Sequence, residues 1–85
     1  MPKIVVYSSD YCPYCMMAKR LLNQKGAAFE EIKVDGKPDV RREMTEKAGG
    51  VGTVPQIWIA DRHIGGCDDL YALDKQGGLD PLLAG

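Results

Sequence analysis

Residues 3–7 read Lys-Ile-Val-Val-Tyr, in which Ile4 to Tyr7 form a continuous apolar, mainly β-branched run with no alternation. Neighbouring side chains on a strand point to opposite faces, so a short run of this kind suits a strand buried on both sides. The pattern then changes period. From Pro13 to Lys25 apolar residues recur at helical spacing, with Met17 above Leu21 and Ala18 above Leu22. Pro13 fits the first helical position, where its missing N–H costs nothing, and Gly26 is placed to end the helix. A second strand is expected within residues 28–35, carried by Phe29, Ile32 and Val34. Two strands joined by a helix in this way form a parallel pair with a right-handed crossover.

The second half is more broken. Asp35-Gly36 turns the chain, and Pro38 to Ala48 reads as a polar helix with Val40 and Met44 turned inward. Gly49 to Gly52 interrupts it. The stretch TVPQIWIA at 53–60 is β-rich, Asp61-Arg62 is expected to be a tight turn, and HIGG at 63–66 a short return strand. Asp68 or Asp69 is expected to cap a helix carrying Leu70, Tyr71 and Leu73, which Gly77-Gly78 ends. LDPLLAG at 79–85 is a short amphipathic tail. The expected architecture is α/β: a four-stranded mixed sheet, one parallel pair plus a closing hairpin, flanked by three main helices.

At 85 residues the chain has room for one core, and a single domain over residues 1–85 is expected. A net charge of −1 gives no overall pull toward nucleic acid or an anionic membrane. The basic residues between Lys37 and Arg42 are interleaved with acids, as on a solvated helix face. No apolar run approaches the ~20 residues that span a bilayer. The N-terminal residues lack the pattern of a signal peptide, so a cytoplasmic location is expected.

At the junction of the first strand and helix stands Tyr11-Cys12-Pro13-Tyr14-Cys15. Two cysteines at this spacing can be a disulfide staple, half of a metal site or a redox switch. The three cysteines, Cys12, Cys15 and Cys67, are an odd number for a staple framework, and a reducing cytosol disfavours a permanent one. A closed zinc site wants four ligands, commonly as two close pairs. Only Cys67 and His63 remain as further soft ligands, and neither has a paired spacing, so no metal is expected.

Position favours the switch. At the end of a strand and the start of a helix, free backbone N–H groups and the helix dipole favour negative charge on Cys12. Cys15 lies one turn on, at i+3 on the same face, about 5–6 Å away between Cβ atoms and so a small adjustment from disulfide distance. Cys12 is expected to attack as thiolate and Cys15 to resolve the mixed disulfide that follows. Pro13 keeps the helix start rigid. Tyr14, between the sulfurs, either contacts substrate or merely shields them. Cys-x-x-Cys between a strand and its helix reads as a thioredoxin-like redox motif.

Three segments in order, CPYC at 12–15, TVPQIWI at 53–59 and IGGCDDLYAL at 64–73, resemble the glutaredoxins, and most closely their short bacterial dithiol members. The resemblance covers essentially the whole chain. It implies a thioredoxin-like fold, glutathione as reductant, and reduction of protein disulfides and glutathione mixed disulfides. By this resemblance Pro55 matches a cis-proline that turns Val54, next to Thr53, toward glutathione as an added strand. Gly66, Cys67, Asp68 and Asp69 match the segment that holds its γ-glutamyl end. Backbone N–H groups at a helix start suit that carboxylate, and an aspartate suits the ammonium. Either aspartate could instead be a plain cap. Cys67 reads first as a small packed hydrophobe.

Two departures stand out. Many glutaredoxins carry a lysine three residues before the first cysteine, where this chain has Ser9, and Asp10 beside it would oppose a thiolate if turned inward. Relatives often have a basic residue before the TVP segment, where this chain has Gly49 to Gly52. The glycyl carboxylate would then fall to Arg41, Arg42 or Lys37, with Arg41 counted among the expected glutathione-binding residues. Trp58 reads as a packed strand aromatic and His63 as a solvent-side residue. The expected partners are glutathione and disulfide proteins such as ribonucleotide reductase, met by a monomer, with no nucleic acid or membrane. Two rival functions follow from the same residues: an electron donor reduced by thioredoxin reductase, and a dimeric carrier of an iron–sulfur cluster. Pro13 and the second cysteine weigh against the carrier.

Overall fold

The apolar run at the N-terminus becomes an inner strand of the sheet. The computed structural model describes residues 2–85. The elements run β1 (Ile4–Ser8), α1 (Pro13–Gln24), β2 (Glu30–Lys33), α2 (Pro38–Lys47), β3 (Gln56–Ile59), β4 (Arg62–Gly65), α3 (Cys67–Lys75) and α4 (Leu79–Ala84). The sheet order is β2-β1-β3-β4. β1 pairs parallel with β2, Val5 opposite Glu30, and antiparallel with β3, Ile4 opposite Ile59 and Tyr7 opposite Gln56. β3 pairs antiparallel with β4, with an irregularity at Ile57/Trp58.

Alternation along β1 and β3 divides the apolar residues between two faces. On one, Ile4, Val6, Ile57 and Ile59 meet Leu21 and Leu22 of α1, Leu70 of α3, and Leu79 and Leu83 of α4. On the other, Tyr7 and Trp58 pack with Val34 and with Met44 of α2. Each such fully buried aliphatic side chain contributes about 1.5–3 kcal/mol relative to exposure. Tyr7 and Trp58 meet edge to face at 5.4 Å, and the Lys47 ammonium caps both rings from α2, 4.9 Å from the Trp58 centroid. A cation so placed is worth about 0.5–1 kcal/mol at a partly exposed site.

The four-stranded mixed sheet matches the sequence expectation, and four details differ. The hairpin turn is Ala60-Asp61, one residue earlier than the expected Asp61-Arg62, with φ of 50° and 65°. Positive φ at both positions is the two-residue turn whose twist suits antiparallel strands, although alanine does not favour it. The second strand is only Glu30–Lys33, because residues 28 and 29 carry no ladder pairing. Neither Asp68 nor Asp69 is the N-cap of α3. That place belongs to Gly66, and Asp69 is the third helical residue. The amphipathic tail is a fourth helix with Leu79 and Leu83 buried. Lys25 at the end of α1 bridges Asp74 at 2.8 Å and Asp80 at 2.9 Å, holding α3 and α4 to it.

Candidate functional site

The Cys-x-x-Cys segment lies where β1 ends and α1 begins. Cys12 is the N-cap of α1, and its sulfur accepts the Cys15 backbone N–H at 3.1 Å. One of the unpaired donors at the start of the helix is therefore spent on this sulfur. Its thiol also faces the Val54 carbonyl at 3.7 Å, a contact between residues 42 apart in sequence. The Val54–Pro55 peptide is cis. Cys12 is partly exposed, whereas Cys15 is completely buried. Burial pushes the Cys15 thiol up to about 12, and a hydrogen bond with Cys12 adds to the effect. A backbone contact from Ser9 and the positive charge of Lys19 act the other way without prevailing. The two sulfurs are thus unlike: one reachable, the other sealed and held as thiol.

Beside Cys12 runs an open groove of about 430 Å³. Tyr14 and Thr53–Pro55 form one part of its lining, and Gly65–Asp69 another. Gly65 has φ of +116°, a conformation open to glycine alone, and a Cβ there would stand 2.3 Å from Asp69 Oδ2. A Cβ on Gly66 would approach the Pro55 carbonyl to 3.4 Å. The two glycines let the β4–α3 corner close against the Val54–Pro55 segment. Asp69 accepts the Gly66 backbone N–H at 3.0 Å, which ties its carboxylate to the corner. Asp68 is exposed and has no hydrogen bond of this kind among the described residues. Cys67, the first residue of α3, is buried, and burial followed by the charge of Asp68 pushes its thiol up.

The structure thus lines one groove with Tyr14, Thr53, Val54, Pro55, Gly66, Cys67, Asp68 and Asp69, sets Cys12 beside it through the Val54 carbonyl, and holds Cys15 buried behind Cys12. Arg41 is not in its lining. Its guanidinium donates to the Gly52 carbonyl at 3.1 Å, one residue before Thr53, so it braces the approach to the groove. The loop upstream of Cys12 also has a definite arrangement. Asp35 accepts from the Ser9 hydroxyl at 2.5 Å and from the Asp10 backbone N–H at 2.8 Å. These bonds, with the charge of Lys33, hold the Asp35 carboxyl below its usual range. The Asp10 carboxylate pairs with Lys33, so it is engaged on the outer side of this loop. Among the described residues no group of three or more histidine, cysteine and acidic side chains is arranged to hold a metal.

A family model described as glutaredoxin matches residues 4–64. The chain belongs to the glutaredoxin family. It is 56% identical over 84 residues to a glutaredoxin of Pseudomonas aeruginosa, covering 99% of each chain. It is 54% identical over 83 residues to glutaredoxin 3 of Escherichia coli K12, covering 98% of this chain and 99% of that one. Among solved structures, a buckwheat glutaredoxin–glutathione complex superposes with TM-score 0.89 at 35% identity, covering 98% of this chain and 77% of the other. A glutaredoxin from Brucella melitensis superposes with TM-score 0.86 at 51% identity, covering 98% and 89%. The fold is therefore thioredoxin-like, and this glutaredoxin, with its dithiol at 12 and 15, is a thiol–disulfide oxidoreductase.

The sequence offered no role for Gln56 and placed His63 on the solvent side of its strand; His63 is indeed exposed, and both residues also line the groove of this glutaredoxin. Gln56 is buried, donates toward the Thr53 hydroxyl at 3.3 Å and meets His63 Nε2 at 2.7 Å through its carbonyl oxygen. The His63 ring stacks on Trp58 at 4.6 Å. A polar residue directly after a strand-opening proline was the available signal. Its pairing with His63 depends on the β3–β4 register, which residue types alone do not set.

Proposed function

We propose that this glutaredoxin reduces protein disulfides and glutathione mixed disulfides, with glutathione as the electron source. One observation carries the reading: the sulfur at the N-cap of α1, held by the Cys15 N–H, opens beside the Val54 carbonyl at the mouth of a peptide-sized groove. Cys12 attacks a substrate disulfide as thiolate, forms a mixed disulfide and releases one substrate thiolate. Cys15 then attacks the Cys12 sulfur, the Cys12–substrate bond breaks, and the second thiolate leaves. One glutathione thiolate attacks the Cys12 sulfur of the resulting disulfide and frees Cys15. A second attacks the bound glutathione sulfur, giving glutathione disulfide and restoring Cys12. A glutathionylated substrate needs only Cys12 and a second glutathione.

Glutathione would lie in the groove with its backbone against Val54, like an added strand, a mode of recognition that edge backbone favours. Its γ-glutamyl carboxylate would meet the N–H groups at the start of α3, which attract anions. Asp68, unengaged by the corner, is placed for the ammonium, while Asp69 shapes the corner. Arg41 would supply charge for the glycyl carboxylate after leaving the Gly52 carbonyl. Tyr14, exposed beside the groove, would cover the bound peptide. Cytoplasmic disulfide proteins, ribonucleotide reductase among them, are the clients this reading suggests for a monomeric domain.

The test is a glutathione-coupled turnover assay on two variants. Cys12→Ser should be inactive on every substrate. Cys15→Ser should lose protein-disulfide reduction and keep deglutathionylation; loss of both would sink the one-cysteine route. Turnover supported by thioredoxin reductase but not by glutathione and its reductase would overturn the choice of electron source.

A further inference from the structure

A resolving thiol must ionise before it attacks, yet Cys15 is completely buried. Burial disfavours its charged form, so something nearby must favour it at the moment of reaction. The elements around it carry Tyr7 on β1, Tyr14, Lys19 and Arg20 on α1, Glu30, Glu31 and Lys33 on β2, Asp10 and Asp35 in the flanking loops, and Cys67, Asp68, Asp69, Tyr71, Asp74 and Lys75 on α3. Of these and Cys12, the charges that act on the Cys15 sulfur are those of Cys12, against its ionisation, and Lys19, in favour of it. Asp10 is paired with Lys33, and Asp35 is occupied by Ser9 and the Asp10 N–H.

Lys19 stands one turn beyond Cys15, at i+4 on the same helix face. Its ammonium is not free to wander. Glu31 Oε2 accepts it at 2.6 Å and accepts the Ser8 hydroxyl at 2.5 Å through the same oxygen. Ser8 is itself fully buried at the end of β1, next to Ser9, whose backbone contacts the Cys15 sulfur. A buried hydroxyl, a carboxylate and an ammonium thus form a chain from the floor of the cysteine loop to the second turn of α1. Burial alone would push the Glu31 carboxyl up, but the bonds from Lys19 and Ser8 and the charges of Lys19 and Lys33 leave it below its usual range. It therefore stays an anion and keeps hold of Lys19.

We propose that Lys19, tethered by Glu31 and Ser8, is a positioning residue that favours the thiolate of Cys15 during resolution. The direction of its field at that sulfur agrees with this role. This inference rests on the dithiol cycle proposed above. In the step concerned the Cys15 S–H proton passes to water and the thiolate attacks the Cys12 sulfur of the mixed disulfide. The Cys12–Cys15 bond forms, the Cys12–substrate bond breaks, and the departing thiolate takes a proton from water.

The test uses an aromatic disulfide that releases a coloured thiolate, mixed rapidly with the reduced full-length protein. The first release reports attack by Cys12 and the second reports closure by Cys15. Losing one partly screened charge a helical turn away removes about fourfold of the thiolate. The remaining thiolate is about twofold more nucleophilic, so Lys19→Gln should slow the second release about twofold at neutral pH. The midpoint of its pH profile should move upward, while the first release keeps its rate. Lys19→Arg should restore the second release. Glu31→Gln, which frees the tether but leaves the charge, should fall between wild type and Lys19→Gln. Circular dichroism checks that each variant is folded. A Lys19→Gln profile superposing on wild type, or equal slowing of both releases, overturns the inference. A Glu31→Gln protein faster than wild type overturns the tether. A wild-type protein with no second release overturns the dithiol cycle itself, an outcome distinct from the others.

Discussion

A buried thiol held at about 12 makes the reduced protein sensitive to alkali in a calculable way. The ordinary value for this thiol is 9.0, so above that pH an unfolded chain has given up the Cys15 proton while the folded chain keeps it. Raising the pH then favours unfolding. The stabilisation is fully present below 9.0 and is lost as the pH rises toward 12, at about 1.4 kcal/mol per pH unit. Over the whole interval the loss is about 4 kcal/mol, a large share of the ~5–15 kcal/mol typical of a small domain. Lysines and tyrosines also titrate there, so the quantity to measure is a difference. Urea unfolding of the reduced wild type and of Cys15→Ala should be compared at steps from about pH 8 to about pH 11. The cavity left by Cys15→Ala contributes the same amount throughout, and Cys67 and the lysines cancel. The advantage of wild type over the variant should hold steady to about pH 9 and then shrink by about 1.4 kcal/mol per unit. In the oxidised protein, where Cys15 has no proton to lose, the slope should vanish. A reduced-state difference that stays flat above pH 9 would refute the claim that burial holds this thiol neutral.

Further outcomes follow from other parts of the fold. Gly65→Ala places a Cβ 2.3 Å from the Asp69 carboxylate at φ of +116°, so it should cost about 2–4 kcal/mol in urea unfolding and raise the KM for glutathione. Ala60→Gly relieves a positive φ in the hairpin turn and should stabilise by up to about 1 kcal/mol, read as a higher Tm. Met44→Ala empties a fully buried site between α2 and the sheet and should cost about 2–5 kcal/mol, with turnover of the folded protein unchanged. Glu31, held below its usual range, stabilises the fold above that range and ceases to as the pH falls through it, so Glu31→Gln should flatten the acid limb of the stability curve.

The first half of the chain was legible because its signals are local. A β-branched run, a proline at a helix start and an i+3 cysteine pair each declare their structure within a few residues, and β1, α1 and the sulfur pair formed where they pointed. The errors gathered where long-range geometry decides. The turn moved to Ala60-Asp61 because the β3–β4 register, not residue preference, chose which two residues take positive φ. Asp68 and Asp69 look like caps by composition, but Gly65 and Gly66 bend the corner so that the helix starts earlier. Gln56 and His63 entered the groove through a cross-strand contact that no spacing rule announces. The Lys19–Glu31–Ser8 chain joins three elements, and each residue taken singly reads as an ordinary surface or strand residue.

The sheet order β2-β1-β3-β4 also has a meaning for the chain while it is being made. The sulfur pair is encoded at positions 12 and 15, but the Val54 carbonyl and the corner at Gly65–Asp69 that close in beside it come from some forty to fifty residues further along the sequence. Synthesis runs from the N-terminus, so a nascent chain displays its reactive pair well before the groove beside it exists. Until β3 docks against β1, the Val54 carbonyl that faces the Cys12 sulfur is not in place beside it. Reactivity is built first and discrimination last.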